Sequence, residues 1–235
     1  MTTSEFSNEF DALISSYSEP TEYGHTLSNL VFDEYEKSVF LTKAEQDLIV
    51  GLYSGKISNE AFETTEEQRR YLDSLIKTKT YDTPNSTSNI SVSDDSVFYT
   101  LPSNIAFITL EQIIFNDNTL GCFNGSRANV MPITHDEYNK VKDNPFRGPT
   151  RYKALRLDYG NNEVEIISKY KVGKYLIKYV EQPSPIVLVN LPDELSINGV
   201  SIATDCKLHP LLHRRILEMA VREALISRGS QVKKE

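Results

Sequence analysis

The sequence predicts an α+β protein: a helical bundle, built from N-terminal helices plus a C-terminal helix, that carries an inserted β-sandwich or small barrel. Three observations lead there. Apolar residues recur at helical spacing over the first eighty positions, short β-branched and aromatic runs fill the middle, and an amphipathic stripe closes the chain. The division that follows is 1–80 helical, 81–205 β-rich, and 206–235 a helix packing back on the first region.

In the first region Phe6, Phe10, Leu13, Ile14 and Tyr17 share one helix face, and Thr2 with Glu5 has the form of a capping box, in which side chain and backbone satisfy each other's free N–H groups. A loop with Pro20 and Gly24 follows. A second helical stretch starts at Asp33, boxed by Glu36, and runs through Val39, Phe40, Ala44, Leu48, Ile49 and Leu52 to Gly55. Thr42 and Glu45 repeat the box spacing, so this is one bent helix or two. The run FETTEEQRRYLDSLIKT predicts a further helix, capped by Thr64 with Glu67 and burying Tyr71, Leu72, Leu75 and Ile76. Each such side chain contributes roughly 1.5–3 kcal/mol when fully buried, so these helices need one another.

Tyr81–Ser96 is polar, with Pro84 and many Ser, Thr and Asn residues, and reads as a loop. Strands are expected at Val97–Tyr99, Ile105–Leu110, Ala128–Ile133, Tyr152–Leu157, Val164–Ile167 and Tyr175–Val180. Tyr159–Asn162 and Asn198–Gly199 have hairpin-turn composition, the latter suiting a type I′ turn. A short helix is expected at Thr134–Val141. The closing helix begins at Pro210, where a missing N–H costs nothing, and buries Leu212, Ile216, Leu217, Ala220, Val221, Ala224 and Leu225 before Gly229.

Composition limits what the chain can do. Hydrophobic residues make up 39% and charged residues 25%, as in a globular protein. No apolar run approaches the roughly 20 residues of a membrane-spanning helix. The acidic start MTTSEFSNEFDAL lacks the form of a signal peptide, and two cysteines, Cys122 and Cys206, suit reduced thiols in a cytosol. A net charge of −8 argues against general nucleic-acid binding. That charge is uneven: residues 1–80 carry a net of −8 and Cys206 onward a net of +4. The two ends have the means to attract one another, within one chain or between copies.

Chemical motifs are sparse. Cys206, His209 and His213 stand at C-x2-H-x3-H spacing, which suits zinc, with Asp205 or Cys122 as a fourth ligand. The same stretch also reads as a loop entering a helix. GCFNGSR lacks the spacing and lysine of a P-loop, and His135, Asp136 and Glu137 sit where a helix start favours acids. Tyr170, Tyr175 and Tyr179 lie among Lys169, Lys171, Lys174 and Lys178, which suits either stacking on bases or a two-sided strand with lysines outward. No catalytic residues and no cofactor are expected, and no metal on the leading reading.

TSEFSNEFDALISS, DEYEKSVFLTKAEQDLIVGLYSG and FETTEEQRRYLDSLI together resemble the N-terminal region of virion proteins from crAss-like phages of gut Bacteroidales. DNPFRGP before ALRLDY, and KYLIKYVEQPSPIVL, are similar to the same family's middle section. LPDEL with LHPLLHRRILEMAVREAL resembles the closing segment of phage head–tail adaptors and tail-tube proteins. The resemblance implies a ring-forming structural protein of the short tail or neck, below the portal, in about twelve copies. It would be made in the host cytoplasm, carried in the virion, and touch the portal or neighbouring rings, with genomic DNA passing through without sequence-specific binding. The acidic first helices and Arg214, Arg215, Arg222 and Arg228 are the expected subunit contacts. The rival reading is a zinc-binding phage enzyme or regulatory protein using Cys206, His209 and His213.

Overall fold

A computed structural model describes residues 1–17, 31–54, 70–86, 91–93, 96–192 and 194–228. The fold is α+β. The chain divides into two compact units, Met1–Leu75 with Pro183–Glu235, and Ile76–Gln182.

The first unit is helical. Helix α1 (Thr3–Tyr17) buries Phe6, Phe10 and Ile14, spaced four residues apart. Its expected box is present: Thr2 N donates to Glu5 Oε2 at 2.8 Å and Glu5 N to Thr2 Oγ1 at 3.3 Å. Helix α2 (Glu34–Tyr53) carries the Asp33/Glu36 box and runs unbroken, so the second box spacing at Thr42 starts nothing. Thr42 does different work, because its hydroxyl donates to Ile186 O at 3.2 Å and accepts from Ile186 N at 3.1 Å. Ser38 accepts from Leu188 N at 3.0 Å. Two helix side chains therefore satisfy Ile186 and Leu188, while Val187 between them exchanges backbone bonds with Thr204. Loop composition around Pro20 and Gly24, the stop at Gly55, and the Thr64/Glu67 cap lie outside the described residues.

The helix expected through Ile76 ends sooner. After Arg70 and Tyr71 a single 3-10 turn, Asp73–Leu75, buries Leu75, and strand β1 (Ile76–Tyr81) begins at once. Alternating KTKT suits an extended chain, and pairing from Ile76↔Val180 to Tyr81↔Tyr175 supplies its hydrogen bonds.

The second unit is one seven-stranded sheet, completed by β2 (Ser96–Thr100), β3 (Ile105–Phe115), β4 (Arg127–Pro132), β5 (Lys153–Gly160), β6 (Glu163–Ile167) and β7 (Val172–Glu181). Its order is β1-β7-β3-β4-β5-β6-β2. All neighbours are antiparallel except β4 and β5, joined through helix α3 (His135–Val141). A parallel pair needs such a crossover.

The sheet curls until its edges meet. Tyr81 of β1 donates to Thr100 O of β2 at 3.0 Å, Thr100 N donates to Asn85 at 2.8 Å, and the Tyr81 and Tyr99 rings lie 5.4 Å apart. The concave face buries Tyr99, Ile113, Phe115, Ala154, Ile166, Tyr175 and Ile177. On the other face Tyr138 and Val141 of α3 cover Leu155, Leu157 and Ile167. The β5–β6 turn uses left-handed Asn161 and Asn162.

Residues 183–205, expected within the β-rich part, belong to the helical unit. The expected Asn198–Gly199 turn is there, with both residues at positive φ and paired bonds between Ile197 and Val200. Helix α4 (Pro210–Ser227) buries the seven apolar residues that its periodicity marks.

Candidate assembly surface

The three proposed zinc ligands point to different partners. His209 caps α4, its Nδ1 accepting from Leu211 N at 3.4 Å. His213 is buried on α4, with Nε2 3.0 Å from Leu208 O and Nδ1 2.7 Å from the Met1 amine. Cys206 Sγ donates to Glu45 Oε1 at 3.2 Å. Among the described residues no cluster of His, Cys, Asp and Glu has the arrangement to hold a metal. Pro210 decides this locally: it forces a helix start, and the helix then turns the two histidines to separate tasks.

Glu45 is a buried acid that its neighbours in sequence do not announce. It is fully buried on α2, and its Oε2 has no hydrogen-bond partner among the described residues. Burial pushes its carboxyl up to about 7, against the lowering effects of the Cys206 bond and the Lys207 charge. Burial and the Glu45 charge likewise raise the Cys206 thiol, so it is not a reactive thiolate. Burial lowers the His213 ring, partly offset by its bond to Leu208.

A second buried polar group sits on the concave face of the sheet. Arg156 Nη1 lies 2.6 Å from Glu111 Oε1, and its Nε lies 3.1 Å from Asp158. Tyr175 donates to the same Glu111 oxygen at 2.5 Å. Lys37, only 3% exposed, joins α1 to α2 by reaching Asp11 at 2.7 Å, Glu34 at 3.0 Å and Ser7 at 3.1 Å. Burial alone would lower the Lys37 ammonium, but the bonds to Asp11 and Glu34 outweigh it and raise it. These groups are structural, and partners 26 or 45 residues apart leave no spacing to read.

The remaining motifs resolve into scaffold. His135 opens α3 and packs edge-on against Tyr159 at 5.0 Å. GCFNGSR spans the end of a 3-10 turn and the entry to β4. On β7, Tyr175 and Tyr179 are buried while Lys174 and Lys178 are exposed, so those tyrosines are not free to stack on bases.

The four arginines of the last helix divide into pairs. Arg214 bonds Glu218 one turn on, at 3.1 Å. Arg228 reaches Glu36 of α2 at 3.0 Å and covers the Phe32 ring at 5.0 Å. Lys43 of α2 meets Glu223 at 3.0 Å in a pair of the opposite sense. The attraction between acidic front and basic tail thus operates partly within one chain. Arg215 and Arg222 are exposed and have no ion-pair partner among the described residues. Seven residues apart, they share one side of α4 with Leu211 (71% exposed) and Ile226 (59%). That side is an outward stripe with two cations between two apolar ends.

Comparison with known proteins gives a match along the whole chain, residues 1–235, to the family model described as phage tail ring protein 3/4. The chain is 48% identical over 231 residues to Ring protein 3 of Bacteroides phage crAss001, covering 97% of this chain and 96% of that one. It is 29% identical over 236 residues to Ring protein 4/5 of the same phage, covering 95% and 92%.

Proposed function

This chain belongs to the phage tail ring protein 3/4 family, and from that premise we propose that it is a structural protein of the virion. It acts by closing identical copies into a ring, about twelve in number, stacked in the tail or neck below the portal. The genome passes through the ring without sequence-specific contact, and a net charge of −8 suits a channel that must not hold phosphates. The protein is made in the host cytoplasm, makes and breaks no bonds, and has neighbouring rings or the portal as partners. No described helix is long and apolar enough to cross a membrane.

The observation that carries this reading is the outward stripe of α4. A helix buried on one side and edged on the other by exposed leucine, isoleucine and two uncommitted arginines has surface to spend on a partner. Head-to-tail closure needs two unlike, complementary patches, and the exposed acids of the first helices, Asp47 of α2 among them, supply the second. Arg214 and Arg228 are committed within the chain, so Arg215 and Arg222 are the contacts.

Electron microscopy and light scattering of purified protein, alone and with its portal, test the proposal. Wild type is expected to form rings, and Arg215→Glu with Arg222→Glu to weaken assembly by about tenfold or more. Undiminished rings would remove both arginines from the interface. Turnover of a substrate would end the structural reading altogether.

A further inference from the structure

From the last turn of α3 to the first residue of β5 runs KVKDNPFRGPTRYK, residues 140–153, with five cations and one acid. It is held in shape by its own bonds. Asn144 Oδ1 accepts from Phe146 N at 2.9 Å and Arg147 N at 3.2 Å, and Gly148 N donates to Asn144 O at 2.7 Å. Lys153 Nζ donates to Phe146 O at 2.9 Å. Gly148 admits no side chain, since a Cβ there would stand 2.7–2.9 Å from three backbone carbonyl oxygens.

The loop holds Phe146 89% exposed, more than any other large apolar residue among those described. Beside it in sequence, Arg151 stacks on two further exposed rings, 4.4 Å from Tyr152 and 4.7 Å from Phe123. Lys140, Lys142 and Arg147 are exposed with no ion-pair partner among the described residues. An exposed aromatic ring on a hydrogen-bonded loop, with cations close to it in sequence, has the composition of an interface anchor: it buries much apolar area, and the loop backbone has little freedom left to lose.

We propose that this loop docks on the outer face of α1 of a neighbouring copy. Its occupant must offer carboxylates without cations. Helix α1 has three acids and no Lys or Arg. Asp11 is engaged by Lys37, which leaves Glu5 and Glu9 outward on one side of the helix, with exposed Ala12 beside them. Loop and helix are unlike patches, as a closing head-to-tail contact requires. DNA fits the loop less well, because the Arg151 plane is already covered by two rings and the chain is acidic overall. The inference rests on the ring reading but uses surfaces distinct from the arginine stripe.

Charge exchange in the full-length protein tests it. Phe146→Ser and Arg147→Glu, each checked for native circular dichroism, are expected to weaken self-assembly about tenfold while leaving the fold intact. Glu9→Arg should weaken it similarly, and combining it with Arg147→Glu should restore most of the loss. Glu9 is the residue to exchange because Glu5 also caps the helix. Loop variants that assemble like wild type would overturn this contact and leave the ring reading standing. Rescue of Arg215→Glu but not Arg147→Glu by Glu9→Arg would assign α1 to the other patch. Wild type that stays monomeric at any concentration would remove both. Loop variants that lose DNA binding in a mobility shift yet assemble normally would make the loop a nucleic-acid surface instead.

Discussion

Replacing Glu45 with glutamine should change how stability depends on pH, and the sign and size follow from its burial. The carboxyl titrates near 4.5 when unfolded and at about 7 when folded, because burial penalises its charge more than Cys206 and Lys207 relieve it. The folded state therefore holds a proton that the unfolded state has released. Glu45's contribution is fully present below about pH 4.5 and is lost as pH rises through 7. At about 1.4 kcal/mol per pH unit, the loss between pH 5 and pH 8 is roughly 2–3 kcal/mol. Glutamine keeps the oxygen that accepts from Cys206 but carries no titrating charge. Its amide lacks an acceptor, so the informative quantity is the pH slope and not the absolute stability. Urea denaturation of both proteins at intervals from pH 5 to pH 8 reads it directly. His213, whose depressed pKa contributes with the opposite sign, cancels in the difference. Wild type should lose stability relative to the variant across that range. Parallel curves would mean that the carboxyl is hydrated or paired in solution, and the account of this core would be wrong.

Thr42→Val preserves shape but strands the N–H and C=O of Ile186, so urea denaturation should show a loss of about 2–4 kcal/mol, while Thr42→Ser should cost about 1. Arg156→Met leaves Glu111 as a buried charge facing only Tyr175, and melting should show roughly 3 kcal/mol of destabilisation. Adding Glu111→Leu should recover much of it. Tyr99→Phe removes a buried hydroxyl that has no partner among the described residues, so thermal melting should show stability unchanged or raised, by about 1 kcal/mol at most.

Where the physics is local, the sequence is legible. Capping boxes at Thr2/Glu5 and Asp33/Glu36 need only four residues to declare themselves, and the Asn198–Gly199 turn needs two. The apolar stripe of α4 shows the same thing at longer range, since periodicity marks every apolar residue it buries. Strand β1 escapes because it follows a helical run without punctuation and takes its bonds from β7, about a hundred residues on. The second box at Thr42 misleads for a related reason: its hydroxyl is claimed by Ile186, which no local spacing foretells.

By itself the sequence determined the kind of object this is: an α+β chain, acidic in front and basic behind, resembling the ring proteins of crAss-like phages along most of its length. Only the tertiary structure decided which charges are available. It committed Arg228 to Glu36 and Arg214 to Glu218, and left Arg215 and Arg222 facing outward. It sent Cys206 to Glu45 and each histidine to its own backbone partner, and it held Phe146 in the open. Spacing along a chain reports neighbours within a turn or two. Availability to a partner depends on what the rest of the fold has already used, and that is settled only when distant segments meet.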